Sequence, residues 1–146
     1  MTYKTYGFTE QQVLVRDQVL RLLQRVAPPE KLDEWERPST FPEDAYQALA
    51  KDGYLALPFD EEFGGSGAGH RDLAVFIEAL AYHHPGIASA FMTTIIYGAM
   101  YIHYFGTAEM KREFLPPIIA GKRKMAVAYT EPSGGSDAPA IRAGAV

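Results

Sequence analysis

The chain has 146 residues, 47% of them hydrophobic and 22% charged, with a formal net charge of −4. That size and balance suit one globular domain with a core of its own, and the acidic surplus argues against a broad nucleic-acid footprint. The absence of cysteine excludes disulfides, thiolate metal sites and a thiol nucleophile, and fits a reducing, cytoplasmic setting.

Met1 to Gly7 is short and polar, and reads as neither a signal nor a transit peptide. Thr9 then opens a helix. Thr9-Glu10-Gln11-Gln12 makes a capping box, and Phe8 with Val13 can close a hydrophobic staple. Val15, Val19, Leu22 and Val26 fall on one helical face, and Pro28-Pro29 ends the element. A polar link over 30–40 follows, in which Trp35 is expected to anchor onto the core. The second helix starts near Pro42, turns Ala45, Tyr46 and Leu49 inward, and stops at Asp52-Gly53.

Residues 60–69 form an acidic, then glycine-rich loop. Gly65-Ser66-Gly67-Ala68-Gly69 has a superficial phosphate-loop look, but its third glycine comes one residue early for GxGxxG and no Gly-Lys-Ser/Thr follows, so it reads as a connector. A third helix covers about 70–82, with Leu73, Phe76, Ile77 and Leu80 on one face. Pro85 separates it from a fourth over 87–105, which is apolar nearly all round and is expected to be covered on most sides. The run 79–108 carries no Asp, Glu, Lys or Arg, but Pro85-Gly86 interrupts it. A central core helix, not a membrane span, is therefore expected. Thr93, Thr94, Tyr97, Met100 and Tyr101 on this helix either line a pocket or simply pack in the core. The four histidines, His70, His83, His84 and His103, lack an HExxH context, so no metal site is expected.

Thr107 starts a fifth helix, with Met110, Phe114 and Ile118 spaced by four, and Pro116-Pro117 is expected to distort or shorten it. Gly121-Lys122-Arg123-Lys124 is a basic turn, solvated by default. Residues 126–129 are short and apolar and read as a buried strand. They run into Thr130-Glu131-Pro132 and the permissive loop Ser133-Gly134-Gly135-Ser136-Asp137. Such a strand end either holds a polar ligand through close-approaching amides and hydroxyls or is an ordinary Gly/Ser turn. Five helices and one unpartnered strand leave backbone groups to be satisfied elsewhere, by another chain or by a continuation of this one.

Tyr129-Thr130-Glu131-Pro132-Ser133-Gly134-Gly135-Ser136-Asp137 resembles the Thr-Glu-Pro-x-x-Gly-Ser-Asp signature of the acyl-CoA dehydrogenases. Weaker matches precede it in the family's order. They are Leu49-Ala50-Lys51-Asp52-Gly53-Tyr54, then Pro58 with Glu61-Glu62-Phe63-Gly64-Gly65 and Gly67, then Phe105-Gly106-Thr107-Ala108-Glu109 with Lys111, Leu115-Pro116 and Ala120-Gly121. Two positions depart from the family pattern: Gly134 stands where alanine is usual, and Ala143 where threonine is common.

The resemblance implies a mainly α fold, a helical N-terminal domain over 1–124 and the first strand of an incomplete middle β-domain over 125–146. It implies FAD, an acyl-CoA substrate whose α-proton goes to a glutamate and whose β-hydride goes to flavin N5, electron-transferring flavoprotein as acceptor, and a homotetramer. By the same resemblance Val127, Ala128, Tyr129, Thr130, Gly135 and Ser136 bind the flavin. Ser136 also meets the acyl-CoA, with Thr93, Tyr97 and Met100 near the acyl group. The family's catalytic glutamate falls beyond Val146, so no catalytic residue is expected here and the chain alone is expected to be inactive. The alternatives are a stand-alone helical binding or assembly module, or a related acyl-CoA oxidase or flavin monooxygenase.

Overall fold

The computed structural model describes residues 7–36 and 40–144. The start of the chain, read above as lacking a leader, the middle of the link at 37–39, and Ala145 and Val146 lie outside the described residues. Among those described, the elements are α1 (Glu10–Val26), α2 (Pro29–Glu36), α3 (Glu43–Lys51), α4 (His70–His83), α5 (Pro85–Phe91), a π-helical stretch (Met92–Ala99), α6 (Met100–Phe105) and α7 (Ala108–Ile119). The segments from α5 through α6 run on as one helix, Pro85–Phe105.

The capping box of α1 forms as read. Thr9 Oγ1 accepts the Gln12 N–H at 3.2 Å, and Gln12 Oε1 accepts the Thr9 N–H at 3.0 Å. Gln12 also donates to Asp72 at 2.7 Å, tying the start of α1 to the start of α4, its main packing partner. Val19, Leu22 and Leu23 are buried, while Val15 and Val26 lie half-buried at the margin. The link after Pro28 is not irregular. Pro29 and Glu30 occupy a first turn, where a missing N–H costs nothing and an acid suits the dipole, so α2 forms. Trp35 on α2 packs against the core and meets His84 edge-on, with ring centroids 6.3 Å apart.

Phe76 of α4 lies at the centre, edge-on to Phe91 at 5.1 Å and stacked on Tyr54 at 5.4 Å. Around it Leu23, Tyr46, Leu49, Leu80, Ile87 and Ile95 have no exposed surface. The glycine-rich connector folds onto its own chain. Gly65, Gly67 and Ala68 donate their N–H groups to the carbonyls of Asp60, Phe59 and Leu57. A Cβ on Gly65 would lie 1.9 Å from the Phe59 carbonyl oxygen, so this turn admits only glycine. Its amides are therefore turned inward and do not form a phosphate cradle.

Three expectations need correction. First, no β-strand forms among the described residues. Residues 126–130 take no regular structure and are exposed, including Val127 and Tyr129, and the one bridge is the isolated pair Glu131–Gly134. The first strand of a truncated β-domain is thus absent, because a ladder needs a second strand and none lies alongside. Second, Pro85–Phe105 is long and apolar enough to cross a membrane, but it is not buried all round. Ile87, Ala88, Ala90, Phe91 and Ile95 are in the core, whereas Tyr97, Tyr101, Tyr104 and Phe105 are exposed. Third, of the distortion or shortening expected at Pro116-Pro117, shortening does not occur, since α7 runs to Ile119. The carbonyls that they leave without an intrahelical N–H belong to Arg112 and Glu113, both on the exposed side, where water can serve.

Candidate functional site

The route from α7 to the signature loop is fixed by the basic turn. Gly121 takes φ +71°, and its carbonyl accepts from Gln47 at 2.9 Å. Lys124 pairs with Glu43 at 2.8 Å and sits 4.8 Å over the Phe41 ring. Far from being idle in solvent, this turn ties the end of α7 to the start of α3. Met125 then lands on Gly98 of the long helix. A Cβ at Gly98 would lie 2.3 Å from Met125 Cβ, so the missing side chain is what admits the crossing chain.

That crossing forms one wall of a cavity of about 500 Å³, lined by Trp35, Phe41, Ser89, Thr93, Thr94 and Met125 among others. Behind Phe41 and Thr94 lies Tyr46, fully buried, its hydroxyl without a hydrogen-bond partner among the described residues. Burial pushes the Tyr46 phenol above its ordinary value, with the neighbouring Thr94 side chain acting in the opposite direction. Aromatic walls with several hydroxyls suit an apolar group that carries a few polar atoms.

Thr93 lines this cavity, but Tyr97 and Met100 do not. They line a second one of about 310 Å³, with Ile96, Tyr101, Tyr104 and Phe105. Between Thr93 and Met100 lies the π-helical stretch, whose i to i+5 bonds take the later residues out of simple α-helical register with Thr93. His84 and Lys124 also line the first cavity and were not read from the sequence as site residues. The local signal for His84 is its place before Pro85, where its Nδ1 caps the helix by accepting the Gly86 N–H at 3.1 Å.

Val127, Ala128, Tyr129, Thr130, Gly135 and Ser136 line neither cavity. They form an exposed arm and arch that leave the helical body at Met125. The arch is a tight turn: Glu131 N–H donates to the Gly134 carbonyl at 2.9 Å and Gly134 N–H to the Glu131 carbonyl at 3.1 Å. Gly135 rests close to Thr130, so that a Cβ there would come within 3.2 Å of Thr130 Cγ2. The backbone N–H groups of Gly135 and Ser136 and the hydroxyls of Thr130 and Ser136 have no hydrogen-bond partner among the described residues. Free amides at Gly135 and Ser136 beside hydroxyls are a fitting donor set for a phosphate-bearing, hydrogen-bonding cofactor.

Glu131 is partly exposed, and its carboxylate accepts from the backbone of Arg142 at 3.0 Å and of Ala143 at 2.8 Å. Those bonds hold its carboxyl below the ordinary range. Glu78 and Glu109 are exposed on helices and face neither cavity. Among the described residues no group of three His, Asp or Glu side chains comes together to hold a metal.

Comparison with known proteins bears on the same segments. Residues 9–122 match the family described as acyl-CoA dehydrogenase, N-terminal domain. The caffeyl-CoA reductase-Etf complex subunit CarC of Acetobacterium woodii is 32% identical over 142 residues, covering 95% of this chain and 37% of that protein. An acyl-CoA dehydrogenase of Bacillus subtilis is 32% identical over 144 residues, covering 94% of this chain and 36% of that protein. The chain thus spans little more than a third of either relative. In fold it superposes on the acyl-CoA dehydrogenase complexed with FAD from Bacillus anthracis with a TM-score of 0.82, at 24% identity, covering 96% of this chain and 24% of that one. The helical body and the ordered motifs along it agree with that match, and the chain belongs to the acyl-CoA dehydrogenase family, with its helices corresponding to the family's N-terminal domain.

Proposed function

We propose that this chain is the N-terminal segment of an FAD-dependent acyl-CoA dehydrogenase, with 1–124 as its helical domain and 125–146 as the lead into the next. The observation that carries the reading is the signature arch. Unpartnered amides at Gly135 and Ser136 and hydroxyls at Thr130 and Ser136 are presented together on a turn fixed by Glu131 and Gly134. In this reading Val127, Ala128, Tyr129 and Thr130 lie along the flavin ring system. Gly135 and Ser136 donate to its pyrophosphate, and Ser136 also meets the acyl-CoA. Fixed donors of this kind hold a cofactor in one orientation and stabilise charge that develops on it. Bound FAD would supply the acceptor for the β-hydride.

Thr93 faces the acyl group across the cavity that Met125 closes, and Trp35 and Phe41 exclude water from it. An acyl group there leaves Tyr97 and Met100 to a second subsite. No carboxylate on this chain is assigned as the base, since the Glu131 oxygens are engaged by backbone N–H groups. The base is proposed to come from a part of the family fold that this chain does not cover. Electron-transferring flavoprotein as acceptor agrees with the Etf complex named for the Acetobacterium relative, and a cytoplasmic homotetramer is proposed with it.

The test is an absorbance spectrum of the purified protein that contains this chain. A flavin band that bleaches anaerobically on addition of an acyl-CoA is expected, and a colourless protein overturns the reading. The 146-residue chain alone, mixed with FAD and acyl-CoA, is expected to reduce no dye.

A further inference from the structure

The arch at 131–137 is followed by a second turn, in which Ala140 N–H donates to the Asp137 carbonyl at 3.0 Å and Ile141 N–H to the Ala138 carbonyl at 3.2 Å. Gly135 and Ser136 are the span between the two turns. Among the described residues the only hydrogen bonds that join the second turn and its tail to the first come from one side chain. Glu131 Oε2 accepts the Arg142 N–H at 3.0 Å and Oε1 accepts the Ala143 N–H at 2.8 Å, with Ser133 Oγ at 3.5 Å from Oε2.

We infer that Glu131 is the positioning residue of this site: its carboxylate closes the two turns into one loop and so sets where the free donors of Gly135 and Ser136 point. This rests on the proposed flavin and acyl-CoA role of the arch. Without the closure, Gly134, Gly135 and Ser136 are a glycine-rich tether whose conformers must be narrowed at the moment of binding. With it, the narrowing is done in the free protein, and the ligand meets a formed set of donors. The chemistry requires a carboxylate. Two N–H donors converge on two different oxygens, and a carboxamide has one acceptor oxygen while its NH2 would face the other donor. Glu131 touches neither substrate nor cofactor in this arrangement. It acts through Gly135 and Ser136.

The experiment is Glu131→Gln, read in two ways. In the 146-residue chain, hydrogen exchange at the Arg142 and Ala143 amides reports the closure directly, with no ligand needed. Both amides are expected to be protected in the wild type and to lose protection in the variant. In the enzyme that contains this chain, FAD is expected to bind about tenfold more weakly and KM for acyl-CoA to rise, while Tm stays level and kcat at saturating FAD and substrate falls much less. That split separates positioning from a general structural role, which would lower Tm. Unprotected amides in the wild type overturn the inference. So does a variant that loses the protection but keeps wild-type FAD affinity and KM, and in that case the functional reading stands. A wild-type enzyme that carries no flavin overturns both.

Discussion

The Tyr46 hydroxyl is buried with no hydrogen-bond partner among the described residues, and a polar atom so placed costs about 1–3 kcal/mol relative to one left in water. Tyr46→Phe removes that atom and keeps the ring, its edge contact with Phe41 and the Lys124 ammonium 5.7 Å from its centre. The variant is expected to gain about 1 kcal/mol, raising the thermal midpoint by a few degrees. A fall of similar size would mean that the hydroxyl is bonded in solution, with Thr94 the nearest candidate. Glu131 is the opposite case, a carboxylate lowered first by the Arg142 N–H, then by that of Ala143. A group whose folded pKa is depressed contributes above its unfolded value and loses that contribution as pH falls through the folded one. The Arg142 and Ala143 amide resonances are therefore expected to hold steady through neutral pH and to shift together only below the ordinary carboxylate range. Neither donor nor the Ser133 hydroxyl titrates there, so the shift reports Glu131 itself. The inward placement of Tyr46 was legible in the sequence because Ala45, Tyr46 and Leu49 share a helical face. The loneliness of its hydroxyl was not, because that depends on what α3 meets across the core.

The capping signal of α1 came out as read, whereas the expected strand, which depends on a distant partner, did not. The capping box of α1 spans Thr9 to Gln12 and its bonds close within that span, so Thr9 and Gln12 announce it. The apolar run at 126–129 has the composition of a strand, but a ladder is a relation between two segments, and no second one lies beside it among the described residues. The π stretch is less visible still. Shifting the bonds of Met92–Ala99 by one residue changes no residue type, so neither the stretch nor the separation of Thr93 and Tyr97 into different cavities is announced by the residues. Gly98 lies within that stretch, and Gly98→Ala tests how the helix and the crossing chain fit. Alanine gains about 1 kcal/mol in helix propensity, while overpacking against Met125 costs about 1–3 kcal/mol if nothing moves. The helix is held by the core and the tail is not, so the tail should lift. Stability is expected to change by less than about 1 kcal/mol, while the Met125 methyl resonance moves to its solvent-exposed position. A large loss of stability with Met125 still packed on the helix would show instead that the arm is held rigidly.

At the scale of the whole molecule, the core and the candidate cofactor arch are separate regions joined through Met125. Every buried hydrophobic residue lies between Val19 and Ile118, and after Gly121 no described residue is buried. The helices thus owe their stability to one another: α1 to α4, α4 to α5, and α7 to the long helix. This is why the helical body was legible through helical periodicity while the expected first β-strand was not borne out, and why the candidate site residues were named only through a resemblance. The arch contributes too little packing to leave a periodic pattern in the sequence. Ending the chain at Met125 should therefore leave the helical body nearly intact. It removes an exposed arm, the Glu131 closure and two short turns, none of which shields the core from water. Losses confined to the surface are typically within about 0.5 kcal/mol, or a shift of a few degrees in the thermal midpoint for a domain of this size. Far-UV circular dichroism and thermal melts of the shortened and 146-residue chains compare the two directly. Matching melts support a domain boundary near 124 and make the arch a part that needs a ligand or a following domain to hold it. A drop of more than about ten degrees would mean that the arm folds back onto the helices and that the boundary lies elsewhere.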